Sequence, residues 1–188
     1  MHIIKIKNKI KKFNKVISIE GDKSLSIRWA LIASQSEYKS KSVNLLLSED
    51  VINTLKCLRR LGVKIKMRKN FCEINGVGLN GFKYKKNLIL DAGNSGTLGR
   101  LLMGLLTHSK KTIKIKGDKS LSKRDFFRII EPLKKFGAEF KSNFGKLPIT
   151  IKGTRNPNPI FYNETKGSAQ IKSSLMLAVL NTNGETII

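Results

Sequence analysis

The sequence predicts an α/β fold built from repeated βαβαββ units, and two observations carry that expectation. Segments 58–66 (LRRLGVKIK) and 133–141 (LKKFGAEFK) match each other 75 positions apart. The loop glycines that precede three apolar helical stretches stand at 21, 93 and 167, at intervals of 72 and 74. A period this long belongs to duplicated supersecondary units rather than to a solenoid. The units open near 21, 93 and 167, and the third is incomplete at residue 188.

The elements follow in order. Residues 2–7 and 13–20 alternate apolar and polar, as strands do. A helix is expected over 24–36, after a Gly21-Asp22 loop. VNLLL, at 43–47, reads as a buried strand. The stretch 48–62 carries the fullest helix signature: Ser48 as N-cap, Glu49 and Asp50 in the positive first turn, Arg59 and Arg60 in the last, Gly62 beyond the end. Residues 63–67 and 71–74 form a strand pair. Residues 87–90 are a further strand, leading into DAGNSGT and an apolar helix from about Thr97. The pattern then returns. A strand at 112–116 precedes a helix over 124–137, which Pro132 should kink or shorten. Strands at 138–141 and 147–152 follow, then a loop feeding an apolar helix within 165–180, and a last strand at 184–188.

Composition narrows the function. The chain has 188 residues and is 40% hydrophobic, enough for one domain with a real core and too apolar for wholesale disorder. Cys57 and Cys72 make neither a disulfide framework nor a metal cluster, so a reducing cytoplasm is expected. The basic start, MHIIKIKNKIKK, has no long apolar run after it and does not resemble a signal peptide. The longest apolar run, LGRLLMGLL at 98–106, is too short to span a bilayer and contains Arg100. The net charge of +24 fits nucleic acid, small anionic substrates or a lysine-rich composition. The basic residues are spread along the chain, and aromatics are only 7%, mostly inside helix and strand patterns. That argues against a base-stacking surface. Neither a membrane nor a specific nucleic acid is expected as a partner.

Two loops stand out. GDKSLSIR (21–28) and GDKSLSKR (117–124) agree at seven of eight positions but lie 96 residues apart, which is not the repeat interval. The two therefore occupy different places in the unit. Lys23 and Ser24 open a helix, where unpaired N–H groups and the dipole favour anions. Arg28 lies one turn on, on the face of Ser24. Together they suit phosphate or carboxylate, although a capped helix with two solvated charges has the same sequence. GNSGT (93–97) and KGSAQIK (166–172) precede two more helices, the second with Ser168 and Gln170 at its start. In a pseudo-symmetric repeat the three starts face one cleft, where Lys23, Arg28 and Arg124 would surround a polyanion. GVGLNG (76–81) matches G-x-G-x-x-G but leads into a strand, so the nucleotide-binding context is missing. His2 and His108 provide no pair for a metal or a triad, and no cofactor or metal is expected.

Taken in order, GDKSLSIR, DAGNSGTLGRLL, GDKSLSKR, EPLKKFGAEF and GSAQIKSSLMLAVLN resemble the enolpyruvyl transferase family, and within it the EPSP synthases (3-phosphoshikimate 1-carboxyvinyltransferases). UDP-N-acetylglucosamine enolpyruvyl transferases share the fold but match the first two loops less well. The resemblance covers nearly the whole chain. It implies a lobe of an inside-out α/β barrel, with residues 20–188 as the substrate-binding lobe and 1–19 supplying strand to the other. It implies transfer of the enolpyruvyl group of phosphoenolpyruvate to the 5-hydroxyl of shikimate 3-phosphate, with release of phosphate. Lys23, Ser24, Arg28, Ser168, Ala169 and Gln170 would then hold shikimate 3-phosphate. Lys23, Gly96, Arg124 and Gln170 would hold phosphoenolpyruvate, with Lys23 also a candidate for catalytic proton transfer.

A full-length member is expected to be a cytoplasmic monomer, and retention of Gly96 implies that glyphosate competes with phosphoenolpyruvate. Four positions depart from the family pattern: Glu20 and Asp125 replace prolines, Ile27 replaces a polar residue, and Trp29 a smaller one. Family members are more than twice as long and two-lobed, so residues 1–188 alone are expected not to turn over.

Overall fold

Asp22 ends an extended segment and starts a helix. Its backbone is extended (φ −77°, ψ 135°) and its carboxylate accepts the Leu25 N–H at 2.7 Å. That satisfies one of the donors a helix leaves unpaired at its start. The helix is α1 (Lys23–Ala33). Ser95 does the same for Leu98 N–H at 3.2 Å, opening α3 (Gly96–Leu105). Ser168 does it for Ile171 N–H at 3.3 Å, opening α5 (Ala169–Val179). The three caps stand at 22, 95 and 168, each 73 residues from the last.

The computed structural model describes residues 4–188 apart from 6, 8–11, 13, 69, 70 and 166. Between the capped helices lie β1 (Lys39–Val43), α2 (Glu49–Arg60), β2 (Lys64–Arg68), β3 (Phe71–Asn75) and β4 (Leu88–Asp91). After α3 come β5 (Ile113–Lys116), α4 (Phe127–Lys134), β6 (Glu139–Asn143) and β7 (Lys146–Lys152). The first sheet has the order β1-β3-β2, antiparallel throughout. The second has the order β4-β5-β7-β6, with β4 parallel to β5 and the remaining pairs antiparallel. So β3 lies between β1 and β2 as β7 lies between β5 and β6, and β4 is an addition to the second sheet. The run β4–α3–β5 is a parallel crossover, which needs its helix on one face of the sheet.

One hydrophobic core runs through the molecule. Helix α3 is at its centre and packs on α1, α4 and α5. Leu98, Leu101, Leu102 and Met103 are fully buried, and Arg100 is buried with them, because α3 has neighbours on every side. Helix α2 is the opposite case. Val51, Leu55 and Leu58 face the core at helical spacing while Arg59 and Arg60 stay outside.

Four expectations need correction. The strand at 43–47 ends at Val43, because Asn44 takes a left-handed conformation (φ 57°) and the chain turns away toward α2. Residues 14–20 join no sheet, and neither do residues 4, 5 and 7; the rest of the two expected N-terminal strands lies outside the described residues. The last strand shrinks to a single bridge, Phe161 to Ile187. The helix over 124–137 starts at Phe127, whose N–H is held by the Asp125 carboxylate at 2.7 Å, and ends two residues past Pro132.

The closest helix approach is between α3 and α5. A Cβ built on Gly104 would collide with the backbone carbonyl of Ser174. In an exposed helix a Gly→Ala change stabilises by about 1 kcal/mol. At Gly104 the sign reverses, because the obstacle is backbone. Gly104→Ala is expected to destabilise the chain by about 1–3 kcal/mol, as overpacked cores do. Urea unfolding checks this, and a midpoint equal to or above that of the parent would refute so close an approach.

Candidate functional site

The 73-residue interval places three helix starts in one neighbourhood, and side chains from each then reach across. Arg28 leaves α1 and donates to Ser173 Oγ on α5 from both Nε (3.2 Å) and Nη2 (3.1 Å). Its Nη1 donates to the Ser24 carbonyl at 3.2 Å. Ser173 Oγ donates in turn to the Ala169 carbonyl at 2.7 Å. One guanidinium thus ties the first turn of α1 to that of α5.

The two GDKSLS loops now make physical sense. Asp118 Oδ1 accepts the Leu121 N–H at 2.6 Å, just as Asp22 accepts that of Leu25. The shared sequence is one capping device used twice, on α1 and on a single 3₁₀ turn, Leu121–Lys123. Beyond that turn Arg124 points back to the start of α3. Its Nη2 donates to Asn94 Oδ1 at 3.1 Å, and Asn94 Nδ2 donates to Asp118 Oδ2 at 2.8 Å.

Gly96 is the first residue of α3. A Cβ there would lie 2.7 Å from Arg100 Nη1 and 3.2 Å from Arg124 Nη1. Two guanidinium groups therefore occupy the space a side chain would take, at the positive end of a helix. Arg100 is 5% exposed and stacks over the Phe126 ring, 4.9 Å from its centroid. Burial holds its pKa below the ordinary arginine value, and Arg128 and Arg124 add to the effect while Asp125 opposes it. Arginine stays protonated regardless. Among the described residues the ion pairs engage lysines, and these arginines are not neutralised by a carboxylate contact.

Not every candidate joins this cluster. Gly96, Arg124 and Gln170 come together, with Arg100 among them. Arg28 sits by Ser24, Ala169 and Ser173. Lys23 pairs with Asp50 of α2 at 3.1 Å and is half exposed. An exposed pair of that kind contributes about 0–1 kcal/mol, so it restrains Lys23 weakly. Ser168 is occupied as the cap of α5, and Ala169 is the exposed first residue of that helix. Of the four departures, Ile27 is fully buried, Trp29 packs against the core, Asp125 caps the start of α4, and Glu20 is exposed. Ile27 and Trp29 belong to the packing of the core, whereas the Asp125 charge acts on the cluster by opposing the fall in the Arg100 pKa.

Sequence reasoning passed over Arg100, Asn94, Thr97 and Ser173. The signal for Arg100 was present: a cation inside an apolar run, four residues past Gly96, one turn along the same face. Asn94 lies within the GNSGT loop, but its side-chain partners are 24 and 30 residues away, and Ser173 meets Arg28 across 145 residues, so their roles could not be read from the sequence.

Guanidiniums without a carboxylate contact at a helix start suit an oxyanion. Gly96→Ala tests it. The obstacle to the new methyl is the ends of two long side chains, so the unfolding midpoint is expected to change little, by less than about 1 kcal/mol. Affinity for inorganic phosphate should fall about tenfold, roughly 1.4 kcal/mol, as the Arg124 guanidinium is displaced and Arg100 shifts the Gln170 it holds. Unchanged phosphate affinity would separate Gly96 from anion binding.

Comparison with known proteins bears on the fold and the family. The family model for EPSP synthase (3-phosphoshikimate 1-carboxyvinyltransferase) matches residues 7–188. A 3-phosphoshikimate 1-carboxyvinyltransferase of Ruthia magnifica subsp. Calyptogena magnifica is 45% identical over 172 residues, 92% of this chain and 39% of the relative. That of Streptococcus mutans is 40% identical over 174 residues, 92% of this chain and 40% of the relative. The solved structure of EPSP synthase from Acinetobacter baumannii superposes with a TM-score of 0.85 at 38% identity, over 90% of this chain and 39% of that one. The chain thus spans about two fifths of the length of the relatives it matches. With its fold and nearly its whole sequence accounted for by one family, the chain belongs to the EPSP synthase family.

Proposed function

We propose that this chain holds the substrates of an EPSP synthase reaction, the transfer of the enolpyruvyl group of phosphoenolpyruvate to the 5-hydroxyl of shikimate 3-phosphate with release of phosphate. The observation that supports this most directly is the meeting of Gly96, Arg124 and Gln170 at the starts of α3 and α5, beside Arg28 bridging α1 and α5. Two anions have to be held side by side, and cations with pre-oriented donors do that.

Within this proposal Arg28, Ser24, Ser168, Ala169 and Gln170 take shikimate 3-phosphate. Gly96, Arg124 and Gln170 take phosphoenolpyruvate. Lys23 serves both and is the candidate for proton transfer. Its pair with Asp50 is weak enough for a ligand phosphate to draw it away.

The same proposal assigns residues 20–188 to a substrate-binding lobe with units opening near 21, 93 and 167, and residues 1–19 to a second lobe. Residues 14–20 pair with neither sheet, whereas one core gathers side chains from Ile27 through Val179. A second lobe would exclude water from the bound pair, so turnover is assigned to the whole protein and binding to this chain. A cytoplasmic setting suits the two buried, unbridged cysteines, and no helix among the described residues is long and apolar enough to cross a membrane.

Calorimetric titration of the folded chain with shikimate 3-phosphate tests the proposal. Saturable one-to-one binding is expected, weakening with salt, and Arg28→Met should lower the affinity by about tenfold, the size of one charge-assisted contact. A folded chain that ignores millimolar shikimate 3-phosphate, or takes polyphosphate and DNA equally well, would sink it.

A further inference from the structure

We infer that Arg100 is a positioning residue of this site, holding the Gln170 carboxamide in one orientation at the junction of α3 and α5. Arg100 Nη1 donates to Gln170 Oε1 at 2.9 Å, and Gln170 Nε2 donates to Thr97 Oγ1 at 3.2 Å. Arginine has no acceptor. If the carboxamide turned over, its NH₂ group would face the guanidinium and one donor would meet another. The arginine therefore fixes which end of Gln170 is oxygen and which is nitrogen. A ligand between α3 and α5 meets a defined donor and acceptor rather than a rotating amide.

Arg100 is itself anchored. Its ring stacking on Phe126 fixes the guanidinium from one side, and its backbone carbonyl accepts from Ser174 Oγ at 2.9 Å. It is nine-tenths buried, and its Nε is buried without a hydrogen-bond partner. Burying a cation without a carboxylate is costly, and an aliphatic residue would fill the same space more favourably. Core packing alone gives no reason for an arginine among Leu98, Leu101 and Leu102. Holding Gln170 does.

The inference concerns Gln170 and rests on the substrate proposal only for what that residue then contacts. The test uses the ¹⁵N-labelled chain and reads two quantities. The first is the Gln170 side-chain NH₂ signals, assigned by their loss in Gln170→Leu. The second is affinity for shikimate 3-phosphate. Arg100→Met is expected to move both NH₂ signals to the positions of a free glutamine and to weaken binding by about tenfold. Arg100→Lys keeps one donor and should restore part of both. In a Gln170→Leu background Arg100→Lys should cost no further affinity, since the arginine acts through the residue already removed. Unaltered Gln170 signals in the arginine variants, or fully additive losses in the double variant, would overturn the inference. Should Arg100→Met fail to fold, the lysine variant and the double variant decide alone. Gln170 signals that respond to Arg100 in a chain that binds no shikimate 3-phosphate would uphold the positioning role and defeat the substrate proposal.

Discussion

The site depends on how closely α5 lies against α3. Gly104 has no side chain to keep the Ser174 backbone away, and Ser174 returns the contact by donating to the Arg100 carbonyl at 2.9 Å. That contact sets the register of the two helices. One turn toward their starts the same register brings Gln170 against Arg100 and Thr97. The functional groups are thus mounted on packed helices rather than on free loops, which is how sub-ångström placement is achieved. The caps at 22, 95 and 168 finish the work by fixing where each helix begins.

The cost of this arrangement is electrostatic. Arg100, Arg124 and Arg128 repel one another through a partly desolvated medium, and the starts of the helices add positive potential. The Asp125 charge, stacking on the Phe126 ring and the neutral acceptors Gln170 Oε1 and Asn94 Oδ1 offset part of that repulsion. A bound oxyanion would relieve the rest. Such a ligand binds the native chain and not the unfolded one, so occupancy and stability are linked. A site built this way is at its most strained when empty.

Much of this was legible in the sequence. The repeat, the helix over 48–62, the strand pair before it turns to β4, and the three polar helix starts followed from local periodicity and capping chemistry. The exact phase did not, because the glycines at 21, 93 and 167 are only neighbours of the true markers, the cap residues, which differ in type: Asp22, Ser95 and Ser168. VNLLL misled because an apolar run says nothing of the φ of 57° at Asn44 that interrupts it. Within the site, Arg124 and Gln170 were marked by their loops. Arg100 was hidden by its surroundings, since a charge in an apolar helix looks like an interruption until its partners 26 and 70 residues away are known.

The sheets offer a different consequence. In the first sheet the outer strands alternate lysine with other residues, Lys39 and Lys41 on β1 and Lys64 and Lys66 on β2, around β3, whose Cys72 and Ile74 are fully buried. Strand β1, at one edge of that sheet, carries lysine at its first and third residues. Open sheet edges are templates for unwanted pairing, and lysine is a common guard against it. Part of the +24 net charge therefore lies along sheet edges. The same lysines that make the molecule look like a polyanion binder set its colloidal behaviour: mutual repulsion in dilute salt, and closer approach only as counter-ions screen the edges.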